Sequence, residues 1–199
     1  MTTPKILVAY YSTYGTNHAV ADEAARAARE AGAEVRLRRF AETAPEAVVN
    51  TQDAWKDQLA AHSDIPDLSH DDLDWADGYF FSMPTRYGNV PSQVRSFIDT
   101  CGPIWQEGKL ANKVVTATTS AGNAHGGQEA TILSFYTTIM HWGSLIVAPG
   151  YTDPAVGEAG GNPYGTSIKA GAFDDAGRAA VAHQSRRLTE FATRLVATA

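Results

Sequence analysis

The sequence predicts an α/β fold, a doubly wound five-stranded parallel sheet with helices on both faces. Three observations predict it. Short apolar or β-branched runs alternate with helix-period segments along the chain. The first run, KILVAYY (5–11), is almost continuously apolar, as in a strand covered on both sides. No linker, repeat or low-complexity tract divides the 199 residues, so 1–199 reads as one domain.

After the first strand, residues 18–32 carry small apolar residues at helical spacing and close on Gly32. Residues 33–40 alternate through Val35 and Leu37, the pattern of a strand nearer an edge. Residues 41–74 are polar and proline-containing and show no clear period beyond a short helical stretch near Trp55. The next strand, ADGYFFSMP (76–84), is stopped by Pro84. Residues 91–101 form a helix with Pro91 near its start and an apolar face of Val94, Phe97 and Ile98. NKVVTATTS (112–120) is β-branched and extended, 127–143 has the length of a helix, and 144–151 is the fifth strand. Residues 152–172 are a Gly/Pro-rich insertion. The last helix, 174–197, opens on acidic residues and carries arginines toward its other end, matching the helix dipole.

The net charge of −6 disfavours nucleic acid as a partner. No stretch has the apolar length of a membrane span, and no signal peptide is visible. With Cys101 as the only cysteine, no intrachain disulfide can form, and a cytoplasmic setting fits. Cys101 is either a small hydrophobe at a helix end or a reactive thiol. The six histidines lack metal-ligand spacing, and no nucleophile–base pair stands out.

Ligands of such sheets sit beyond the carboxyl ends of the strands, where strand order reverses. Three loops fall there. STYGTN (12–17) offers convergent backbone N–H groups, the hydroxyls of Ser12, Thr13 and Thr16, and the positive end of a helix. It suits a phosphate, or it is an ordinary helix cap. MPTRYGNVPSQ (83–93) turns at Gly88 and Asn89 and projects Arg86 and Tyr87, a cation and an aromatic suited to a flat polar ring. TSAGNAHGGQE (119–129) has the glycine density that allows close backbone approach. Either of the last two is also readable as a plain surface loop. Together the three suit a ligand with one phosphate and one flat heterocycle, which describes FMN.

YYSTYGT, PTRYGNVPSQVRSFID, GGQEATILS and NPYGTS resemble the WrbA-type NAD(P)H:quinone oxidoreductases, over about residues 4 to 195. The resemblance implies a flavodoxin-like fold with strand order 2-1-3-4-5, FMN as cofactor, NAD(P)H as donor, a quinone as substrate and a homotetramer whose sites are completed by neighbouring subunits. By motif, Ser12, Thr13, Tyr14, Gly15, Thr16 and Asn17 would hold the FMN phosphate. Pro84, Thr85, Arg86, Tyr87, Gly88 and Asn89 would line the flavin, with Ser120, Ala121, Gly122, Asn123, Ala124, His125 and Gly126. Tyr14 would lie by the nicotinamide and Trp105 by the quinone. His141, by its residues alone a core histidine, would approach a flavin across a subunit contact.

Hydride would pass from nicotinamide to flavin N5 and on to quinone in a ping-pong cycle, bypassing the semiquinone, with the chemistry borne by the cofactor and no catalytic side chain. Three other readings share features of the sequence. A single-electron flavodoxin-type carrier would use the same crevice. A non-catalytic FMN-binding regulator is the second. The third, a signalling receiver domain, needs an aspartate at the strand ends, and AYYS and FSMP lack it.

Overall fold

The computed structural model describes residues 3–197. The described elements run β1 (Lys5–Tyr10), α1 (Thr16–Glu30), β2 (Glu34–Arg39), α2 (Glu46–Val49), α3 (Asp53–Ala61), α4 (His70–Trp75), β3 (Gly78–Pro84), α5 (Ser92–Asp99), α6 (Gly102–Gln106), β4 (Val114–Ala121), α7 (Gln128–His141), β5 (Leu145–Ile146), α8 (Pro154–Glu158), β6 (Ser167–Lys169) and α9 (Asp175–Val196). The sheet is parallel, in the order β2-β1-β3-β4-β5. The strand order therefore reverses between β1 and β3, and the loops after these strands flank a crevice.

Alternation along each strand feeds two separate cores. Leu7, Ala9 and Tyr11 pack with Phe81, Phe135 and Ile139 on the α5–α7 side. Ile6, Val8 and Tyr10 pack with Phe80, Val181 and Leu188 on the α1–α9 side. The alanines at 21, 24, 25 and 28 keep the face of α1 flat, and α9 comes close enough for Ser185 Oγ to donate to the Ala24 carbonyl at 2.7 Å.

Two expectations change. Residues 41–74 form three short helices instead of one stretch near Trp55. The half-buried Glu42 carboxylate ties the start of this segment to α3 and α5, accepting from Tyr11 Oη (2.8 Å), Trp55 Nε1 (2.9 Å), Gln93 Nε2 (2.6 Å) and the backbone N–H groups of Thr43 and Ala44 (2.9 Å each). Burial works against ionisation, but the Ala44 N–H, Gln93, Tyr11 and Trp55 donors outweigh it and hold Glu42 below the usual carboxylate range.

The second change concerns the fifth strand, expected at 144–151. Only Leu145–Ile146 pairs, with Val114 and Val115 at the start of β4. The far half of β4 is covered by β6, from inside the expected insertion, through Thr119↔Ser167 and Ala121↔Lys169. Among the described residues the sheet thus has six strands, two short ones sharing one edge. Side chain Gln184 fixes this arrangement. Fully buried, it accepts from Thr166 N (2.9 Å) and Oγ1 (2.8 Å) and donates to Thr116 Oγ1 (2.7 Å) and the Ala117 carbonyl (2.9 Å). Gly165 lies so close to β4 that a Cβ there would collide with the Ala117 carbonyl oxygen.

Candidate functional site

The crevice is a cavity of about 360 Å³ over the carboxyl ends of β1, β3 and β4. Its first wall is the loop from Ser12 to Thr16. Gly15 sits at φ 94°, a backbone state open to glycine, and its N–H donates to Ser12 Oγ at 3.0 Å. Among the described residues no side chain caps α1. The helix's first N–H groups have no intrahelical partner, and its positive end faces the cavity. A side-chain cap would have consumed one of these donors; here they stay open to the cavity.

The floor is a polar network. Asn17 Nδ2 donates to Ser120 Oγ at 2.8 Å, and Ser82 Oγ donates to Asn17 Oδ1 at 3.3 Å. All three side chains are buried. One carboxamide thus joins α1, β3 and β4. Asn17, expected with the phosphate loop, lines the cavity, and its side chain ties the floor.

The opposite wall holds Pro84, Thr85, Arg86 and Tyr87. Arg86 Nη2 donates to Thr13 Oγ1 at 2.8 Å, so the cation crosses from the second loop to the first. Tyr87 stands at φ 53°, in the left-handed region, with its ring wholly in solvent. Residues Ser120 to Asn123 and Gly126 close the third side. Gly127 abuts Gly88: a Cβ there would lie 2.8 Å from the Gly88 Cα, so the second and third loops touch through backbone.

Not every expected residue lines this cavity. Gly88 and Asn89 build the turn behind it, where Asn89 Oδ1 accepts from Ser134 Oγ at 2.8 Å. Ala124 and His125 face a neighbouring hollow of about 440 Å³. Trp105 and His141 lie elsewhere. Helices α5 and α7 both run from the crevice end of the sheet to the opposite end, and α6 follows there. Trp105 Nε1 donates to the His141 carbonyl at 3.0 Å, and the half-exposed indole rests in a shallow hollow with Ile98 and Cys101. Within one chain neither residue reaches the crevice. Cys101 itself is buried, its thiol pushed up to about 12 by that burial, which favours the packing reading over the reactive one.

Ala170, at the end of β6, completes the lining and was not anticipated; its N–H donates to the Ala121 carbonyl at 2.8 Å. Two residues from the helical segment 46–61 also reach the first loop. Tyr14 Oη donates to Gln52 Oε1, and Gln58 packs against Gly15. No local sequence signal announces either contact.

A parallel sheet of this order, with an uncapped helix N-terminus, a crossing arginine and a glycine-lined slot at its switch point, defines a flavodoxin-like mononucleotide-binding protein. The family model for NADPH-dependent FMN reductase matches residues 4–151, and the chain belongs to that family. A protein named NAD(P)H dehydrogenase (quinone), from Deinococcus radiodurans, is 49% identical over 98% of this chain and 100% of its own length. One of the same name from Syntrophus aciditrophicus is 42% identical over 86% of each chain. Among solved structures, a WrbA-like flavodoxin from Agrobacterium tumefaciens superposes with a TM-score of 0.68 at 21% identity, covering 96% of this chain and 99% of its own. Among the described residues no helix is long and apolar enough to cross a membrane.

Proposed function

We propose that this chain is an FMN-dependent NAD(P)H:quinone oxidoreductase of the cytoplasm. The uncapped start of α1, open on the crevice behind Gly15, carries the reading. The names of the Deinococcus and Syntrophus relatives support it. FMN fits the residues present: the Ser12–Thr16 loop offers donors to a phosphate, and the slot between Thr85–Tyr87 and Ser120–Gly126 offers flat backbone walls to a ring. When bound, FMN supplies a two-electron carrier able to accept hydride from a nicotinamide and yield it to a quinone.

The chain's own residues orient and tune. Arg86, braced on the Thr13 hydroxyl and its own Thr85 carbonyl, keeps a fixed positive charge beside the slot, where it favours the more negative, reduced ring. Asn17 holds loop and slot in register. Tyr14, tethered by Gln52, stands at the mouth as a wall for an incoming flat substrate. The reading includes a homotetramer, in which Trp105 and His141 would meet the flavin of a neighbouring copy.

The deciding experiment is nicotinamide oxidation by the purified protein, with and without FMN and benzoquinone. Turnover requiring both is expected. A protein that binds FMN but leaves NADH and NADPH untouched would point to an electron carrier or regulator instead. Arg86→Ala should make the flavin potential more negative; an unchanged potential would remove Arg86 from this role.

A further inference from the structure

A cluster of titratable rings lies directly behind the phosphate loop and has no part in the chemistry above. His18 stands in the first turn of α1. Its ring is 3.9 Å, centroid to centroid, from that of His62, the residue that ends α3. Tyr10, from the end of β1, joins both: its hydroxyl is 3.1 Å from His62 Nδ1, and its ring stacks on His18 at 5.1 Å. Toward solvent, His18 Nε2 lies 3.3 Å from Asp22 Oδ2. From β2, Arg39 bears on His62 and Tyr10 while paired with Asp67 at 2.9 Å.

Two imidazoles this close cannot both be protonated without setting like charges face to face. His62 is the more constrained. It is 2% exposed, and its Nε2 is buried with no hydrogen-bond partner among the described residues. A second N–H on that ring would have no acceptor. Burial, the adjacent His18 and then Arg39 together push His62 down to about 4. Burial also lowers His18, against the pull of Asp22.

The cluster joins the two parts that shape the phosphate site. His18 belongs to the helix whose first turn faces the crevice. His62 closes the segment whose Gln58 packs on Gly15 and whose Gln52 holds Tyr14. We propose that His18 and His62 form an acid-sensitive latch: neutral, they clamp α3 onto the first turn of α1 and keep the phosphate loop in its binding shape; protonated, they part and the loop loses FMN. This rests on the reading that the loop binds the FMN phosphate. The sign follows from lowered histidine pKa values. The clamp contributes fully above about pH 6.5 and weakens as the pH falls toward 4.

The test follows FMN release between pH 7.5 and 4.5 by ultrafiltration, in the natural protein and in His62→Phe, which keeps a flat ring and removes the titration of the more buried histidine. The FMN phosphate itself titrates near pH 6, but equally for both proteins. Over this range the natural protein's FMN Kd should rise about tenfold more than the variant's; equal rises would overturn the latch. If His62→Phe does not fold, His62→Gln removes the same titration with a neutral polar side chain and is judged the same way. If the natural protein binds no FMN at any pH, the binding reading fails, yet the latch is still decided in the protein alone. Backbone hydrogen exchange over 53–62, corrected for its intrinsic pH dependence, should then lose protection on acidification in the natural protein and not in the variant. Unchanged protection would overturn the latch itself.

Discussion

The floor and the rim of the crevice are built from opposite materials. The floor is Asn17, Ser82 and Ser120, small polar groups, all buried, each hydrogen-bonded to another. The rim is Tyr14, Arg86 and Tyr87, large groups reaching into water, with the Tyr87 ring wholly exposed. A buried polar group must be satisfied, so the floor tolerates little change. An exposed aromatic costs little to alter, so the rim is free to be shaped by what it meets. The floor therefore governs the shape of the crevice, and the rim is the part that tolerates substitution.

The largest effect should come from breaking the floor. Asn17→Leu leaves the Ser82 and Ser120 hydroxyls buried without their partner, at a cost of about 2–4 kcal/mol. Urea unfolding should show the loss, and FMN titration should show affinity falling with it. A variant of natural stability would mean that the Ser82 and Ser120 hydroxyls do not depend on Asn17.

Next comes Glu42, which joins Tyr11, α3 and α5. Glu42→Ala strands the Tyr11, Trp55 and Gln93 donors together and should cost about 2 kcal/mol. Its lowered pKa adds a pH signature. The stabilisation is present above the ordinary carboxylate range and is lost as the pH falls through the folded-state value. Urea midpoints measured from pH 6 downward should therefore converge between the natural protein and Glu42→Ala.

The rim should behave differently. Tyr87→Gly relieves a left-handed backbone at φ 53°, so stability should hold or rise by up to about 1 kcal/mol. Quinone turnover should nevertheless fall; an undiminished rate would detach Tyr87 from the substrate. Smallest in stability is Tyr14→Phe, which loses only an exposed hydrogen bond to Gln52. It should change unfolding by less than about 0.5 kcal/mol, while the nicotinamide KM rises and FMN affinity stays.

The sequence by itself determined the alternating elements, the parallel order's raw material and the three loops at the crevice. Apolar period, glycine position and hydroxyl clustering are local signals, and they act within a few residues of where they are read. Tertiary structure decided the rest. That Asn17 serves the floor depends on Ser82 and Ser120, far along the chain. Glu42 became a hub only when β1, α3 and α5 brought their donors to it. The split between β5 and β6 was set by Gln184 from the last helix and by the bare Cα of Gly165. Trp105 and His141 share a motif-level association with the site, yet helix direction carries both to the opposite end of the sheet. In each case the deciding partner comes from a distant part of the sequence or from the direction of a folded element, and no local pattern encodes such a meeting.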